Sequence, residues 1–271
     1  MMAWTNILVP VLGARSDADT LSFAKALATR FGATISVVFA APSPTSLFNW
    51  VPLEGGLSVT EMAVTAIEEE TDKVRATCRR LLTELDYPKT LFEEVITDDW
   101  LGLRSAVRLA DVVIWDRAAA EGNGLFAGAF QQILLDERRP AFLADRPPVM
   151  GGTMAIAWDG GREASRALRR AVPLLRYADR VVLITVLDDR AQSGGARGVR
   201  YLLDQGIRVE TQMVHTEEDT GPAIIGAVTK MDANLLVAGA FGHPRLHRFI
   251  FGGTTQYLLA SKRRPALFLS H

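Results

Sequence analysis

Leu134-Leu135-Asp136-Glu137-Arg138-Arg139-Pro140-Ala141-Phe142-Leu143, in the middle of the chain, returns at its end as Leu258-Leu259-Ala260-Ser261-Lys262-Arg263-Arg264-Pro265-Ala266-Leu267-Phe268-Leu269. Both stretches carry a leucine pair, a basic doublet, a proline and a closing apolar run. Upstream, Ala110-Asp111-Val112-Val113-Ile114-Trp115-Asp116 is echoed by Ala233-Asn234-Leu235-Leu236-Val237-Ala238-Gly239. Two blocks repeated in the same order make chance a poor explanation, and the chain reads as a tandem duplication.

Working outward, each copy alternates short apolar runs with stretches of helical spacing. In the first copy the runs Ile7–Val11, Thr34–Phe39, Leu91–Ile96, Val112–Trp115 and Ala141–Ala144 read as strands. Between them fall helices, the first capped by Asp17 or Asp19 and ended at Phe31-Gly32, the second near Glu61–Leu85. The second copy repeats the order with strands Met154–Trp158, Val181–Val186, Arg208–Val214, Leu235–Ala238 and Ala266–Leu269. The fold class is α/β: two tandem open-sheet domains, each a mostly parallel five-stranded sheet with helices on both faces. The linker-like stretch Arg146–Gly152 divides domain 1–146 from domain 152–271. The first copy also holds an insertion, 43–56, in which Leu47, Phe48, Trp50 and Val51 either pack on the chain's own surface or form a lid or partner-docking face.

At 271 residues each copy is large enough for its own core, and 48% hydrophobic with 23% charged residues is a soluble, globular composition. A net charge of -1 offers no broad field to nucleic acid or an anionic membrane, so neither is expected as a partner. No apolar run approaches the ~20 residues of a bilayer span, and the start of the chain runs straight into a strand, so a cytoplasmic location is expected. The lone Cys78 falls in a helical stretch and reads as an indifferent thiol.

The copies differ where chemistry could reside. After its fourth strand the second has Gly239-Ala240-Phe241-Gly242, then Gly252-Gly253-Thr254-Thr255 at the start of a helix. Ligands in doubly wound sheets dock at the carboxyl ends of strands. Bare glycine lets main chain approach a sugar or phosphate, and a helix N-terminus favours an anion. Thr254 or Thr255 could add a hydroxyl. His243, Arg245, His247 and Arg248 could supply positive charge to a polyphosphate, or simply face solvent. His215 reads as structural or exposed, and Thr216-Glu217-Glu218-Asp219 as a solvated loop rather than a metal site.

With these residues the chain resembles the universal stress protein family in its tandem two-domain form. The family's nucleotide-binding members carry Gly, two residues, Gly, nine residues, then Gly followed by Ser or Thr, and Gly239, Gly242 and Gly252 match that spacing. The likeness covers nearly the whole chain, more strongly over 152–271 than over 1–146. It implies an adenine nucleotide alpha-hydrolase-like fold, a role in stress response, and a bound adenine nucleotide: ATP, with or without Mg²⁺, or a relative of it. Ala157-Trp158-Asp159 occupies the place of the family's first-strand turn, so the resemblance sets Asp159 near the base or ribose; a turn or capping role is its alternative. It likewise puts Val186 against the base and Ala238 beside the glycines.

Two departures bear on this. Gly253 stands where the family has Ser or Thr, with Thr254 one place later, which removes a hydrogen bond of about 0.5–1.5 kcal/mol. In the first copy Leu12 replaces Asp159, and Asp116 and Ala119 replace Gly239 and Gly242, so an empty or blocked site is expected there. No nucleophile elbow, zinc spacing or Gly-Lys-Ser/Thr phosphate loop is present, so any ATP hydrolysis should be slow or incidental. A ligand-free scaffold, with the last strands of the copies paired across the domains, is the competing reading. Dimerisation of the whole chain and an unidentified protein partner stay open.

Overall fold

The structure is a computed structural model that describes residues 3–42, 57–97, 101–123, 126–144, 150–187, 195–216, 219–242 and 253–271. The insertion 43–56 and residues His243, Arg245, His247, Arg248 and Gly252 lie outside the described residues.

The first half runs β1 (Asn6–Val11), α1 (Ser16–Phe31), β2 (Thr34–Pro42), α2 (Leu57–Leu85), β3 (Thr90–Thr97), α3 (Leu101–Val107), β4 (Val112–Trp115), α4 (Arg117–Ala120), α5 (Ala127–Leu135) and β5 (Ala141–Leu143). The second runs β6 (Thr153–Ala157), α6 (Arg162–Leu175), β7 (Arg180–Leu187), α7 (Ala196–Asp204), β8 (Glu210–His215), α8 (Thr220–Lys230), β9 (Ala233–Gly239), α9 (Gly253–Ala260) and β10 (Ala266–Ser270). The strands form one ten-stranded sheet, ordered β3-β2-β1-β4-β5-β10-β9-β6-β7-β8. Every described pairing is parallel except β5 with β10.

That antiparallel seam follows from the repeat. In its register Phe142 faces Phe268 and Leu143 faces Leu267. The repeat itself equates Phe142 with Leu267 and Leu143 with Phe268, so the two pairs are copies of one contact about a local two-fold axis. Each half thereby covers the edge the other would expose. Phe142 and Phe268 meet edge-on at 5.9 Å, Trp4 stacks on Phe268 at 5.9 Å and Phe23 abuts Phe142 at 4.7 Å. Phe31, ending α1, meets Tyr177 beyond α6 at 5.4 Å.

Strand residues alternate between two apolar layers, as strands buried on both faces must. One layer holds α1, α2, α6 and α7, and the other α3, α5, α8 and α9. Each layer draws on both halves, where the sequence suggests a separate core for each.

Local capping differs from the sequence expectation at α1. Its N-cap is Arg15, and the Asp17 carboxylate turns back to accept the Leu12 and Ala14 N–H groups, both at 3.0 Å. The helix does end at Gly32, in the left-handed conformation (φ 66°) that glycine adopts without strain. No helix among the described residues is long and apolar enough to cross a membrane.

Candidate functional site

β9, β6 and β7 are adjacent and parallel, so their carboxyl ends share one edge of the sheet. The chain leaves β6 for β7 on one side and returns to β9 on the other, making the β6/β9 boundary the topological switch point where such sheets take ligands. Helices α6 and α9 both begin at strand ends of this half.

The sheet sorts the expected residues by face. Ala157, Val186 and Ala238 all belong to the layer that contains α9. Trp158 belongs to the opposite layer: a side chain added at Gly198 of α7 would lie 3.2 Å from its ring. Only the main chain of Trp158 remains at the switch point, its N–H donating to the Ile184 carbonyl at 2.8 Å. Asp159 is exposed, and its Oδ1 accepts the Gly161 N–H at 2.7 Å, closing the loop into α6.

The glycines divide similarly. A Cβ at Gly239 would lie 2.6 Å from the Ala164 nitrogen and 2.7 Å from the Glu163 carbonyl carbon. Glycine is required there because the first turn of α6 rests on the end of β9. At Gly242 a Cβ would lie 3.1 Å from Glu163 Oε2. Close approach is therefore real at both positions, but what approaches is α6. Gly253 is different: among the described residues nothing beyond its own helix lies within 4 Å of its would-be Cβ.

The turn between these glycines is pinned from three directions. Phe241 holds a left-handed φ of 58°, costly for a side chain with a Cβ, and its N–H donates to Thr255 Oγ1 at 3.3 Å. Thr255 is buried, so its hydroxyl ties the turn to the first turn of α9. The Ala240 N–H donates to the Ser270 carbonyl at 3.0 Å, and His271 Nδ1 lies 2.9 Å from the Ala240 carbonyl. Thr254 is half-buried at the start of α9.

Sequence reasoning passed over two of these groups. Glu163 is buried with Oε1 accepting Arg162 Nε at 3.2 Å; an acid in the first turn of a helix reads simply as a favourable dipole contact. His271 gives no signal, since only the fold returns the last residue to this turn. Among the described residues no group of three or more His, Cys, Asp or Glu could hold a metal ion.

At the same place in the first half the described side chains engage one another. Asp116 accepts the Ala119 N–H at 2.9 Å, capping α4, and the Ser16 hydroxyl at 2.8 Å. Trp115 is packed by Phe126 and Phe130 at 5.9 and 5.7 Å. What remains is a cavity of about 30 Å³ lined by Leu12, Asp17, Trp115, Asp116 and Phe126 among others, room for a water. Burial pushes the Asp17 carboxyl up, its backbone hydrogen bonds pull it down, and the Asp116 charge adds to the rise.

The model of the universal stress protein family matches residues 150–268. Residues 150–268 form a universal stress protein domain. The whole chain superposes on a universal stress protein from Archaeoglobus fulgidus DSM 4304 with a TM-score of 0.72 and 15% identity, covering 98% of this chain and 97% of that one. A protein of Pseudomonas aeruginosa UCBPP-PA14 named for the same family gives a TM-score of 0.58 and 14% identity, over 99% and 93% of the two chains. The fold of these two structures is thus shared over both halves of the chain. No significant match is found among curated proteins.

Proposed function

We propose that the chain is a regulatory protein of the universal stress protein family that binds one adenine nucleotide, ATP first among candidates, in its second half, and that the bound state rather than turnover is its output. The observation that carries this reading is the start of α9. Gly253 meets no described side chain at a helix N-terminus whose first turn is anchored, through Thr255, to the switch-point turn. Helix N–H groups at such an end favour a phosphate. Ala157, Val186 and Ala238, small or branched apolar residues on the α9 face, suit the flat face of a base.

Glu163 refines the pose. A carboxylate beneath Gly242 repels phosphate there, so the neutral ribose belongs over the turn and the phosphates at Gly253. Asp159, with Oδ1 engaged by Gly161, presents its exposed carboxylate to a ribose hydroxyl. Mg²⁺ would arrive on the triphosphate and be held chiefly by it. The tightly filled counterpart in the first half supports a stoichiometry of one. The protein would act in the cytoplasm, on a partner recognised through the occupied state.

Native mass spectrometry of the full chain with added ATP checks both points. One nucleotide per chain is expected. Two per chain would contradict the closed first half, and none at millimolar ATP would favour the scaffold reading, which the β5–β10 seam accommodates equally well.

A further inference from the structure

Away from the glycine turn, positive charge gathers where the two halves meet. Arg166, Arg169 and Arg170 stand at i, i+3 and i+4 on α6, sharing a flank of the helix beside its buried Ala167, Leu168 and Ala171. The turn between α5 and β5 brings Arg138 and Arg139 from the first half. Arg170 Nη1 donates to the Arg138 carbonyl across the junction, and Arg138 holds a positive φ of 51°. The other four arginines all lie near enough for their charges to act on Arg170.

Little in the described structure offsets this charge. Of the two acids of the same turn, Glu137 is already paired with Arg104 and Arg108 of α3, in the opposite layer, and Asp136, at the end of α5, forms no salt bridge with the five arginines among the described residues. None of the five arginines forms a salt bridge among the described residues. Arg139 Nη1 donates to the Ala110 carbonyl at 3.3 Å, while its Nε is buried and has no acceptor among the described residues. Burial first, and then the neighbouring arginines, hold the Arg170 guanidinium below its ordinary value. In a chain of net charge -1 this is a local feature, since nothing in the overall balance demands it. Guanidinium groups match phosphate oxygens in geometry and charge.

We propose that the junction is an anion site for a compact, multivalent phosphate, held by Arg166, Arg169 and Arg170 of α6 with Arg138 and Arg139 of the α5–β5 turn. Arg139, Arg166 and Arg170 are half-buried, which suits a small ion better than an extended nucleic acid strand. The site is built from both halves and owes nothing to the α9 cradle, so it stands apart from the nucleotide reading.

The test is thermal unfolding of the full chain with sodium tripolyphosphate, against sodium chloride at matched ionic strength. The variants are Arg166→Ala/Arg169→Ala and, as a charge-matched control on α7, Arg197→Ala/Arg200→Ala. Tripolyphosphate should stabilise the natural protein and the control alike, and bind the α6 variant at least ~10-fold more weakly. Equal shifts in all three would overturn the site. So would loss of the shift in Gly253→Asp, which would put the anion at α9, or binding of a single-stranded oligonucleotide where tripolyphosphate fails. Circular dichroism checks the α6 variant's fold, with Arg166→Gln/Arg169→Gln as the gentler replacement.

Discussion

Phe241 shows how much of the site rests on single groups. A bulky residue at φ 58° is held there by its N–H bond to the buried Thr255 hydroxyl and by the Ala240 contacts with Ser270 and His271. Thr255→Val keeps the shape and removes this acceptor. It should cost ~0.5–1.5 kcal/mol in denaturant unfolding and weaken nucleotide binding with it. Cys78 is a bystander by the same kind of reasoning. Burial, with the Asp17 charge adding to it, pushes its thiol up to about 11, so it stays protonated at neutral pH. A thiol reagent should label it only after unfolding; prompt labelling of the folded chain would contradict this. Residue roles were the least legible part of the sequence. A glycine left bare for a ligand and one left bare for a helix look identical in one dimension, and Gly239 proves to face α6. Asp116 reads as a carboxylate aimed at phosphate, yet it caps a short helix that carries no periodicity to announce it.

Elements were far more legible, because period and punctuation are local. The strand and helix order follows the alternation of apolar runs, and deviations are confined to ends and to α4, where capping and single hydrogen bonds decide. The turn from α5 into β5 shows what such ends contribute. Burial would raise the Glu137 carboxyl, but the hydrogen bonds and charges of Arg104 and Arg108 outweigh it and hold the group below its ordinary value. A carboxylate lowered on folding lends stability that is present above the ordinary Glu range and lost as pH falls through the folded value. Glu137→Gln should therefore unfold more easily than the natural chain at neutral pH, with the gap closing in acid. A gap that widened on acidification would refute the pairing.

At the scale of the whole molecule the duplication is the organising fact. It foretold two sheets; the register of β5 against β10 joins them into one, and both apolar layers run through the join. Phe268 is fully buried at that seam, so Phe268→Ala should cost ~3–5 kcal/mol, and the chain should still unfold in one transition seen alike by tryptophan emission and circular dichroism. A second half expressed alone would expose the β10 edge and should self-associate through it.

The central claim is that the start of α9 receives phosphate, and Gly253→Asp tests it most directly. No described residue crowds the position, its φ is ordinary, and the helix dipole welcomes an acidic side chain, so the variant should be no less stable than the natural protein. Its carboxylate would nonetheless occupy the phosphate's place. Calorimetric titration should show ATP binding the natural chain and at least ~10-fold weaker binding to the variant. Equal affinity for the two, or no heat from the natural chain, would contradict the account.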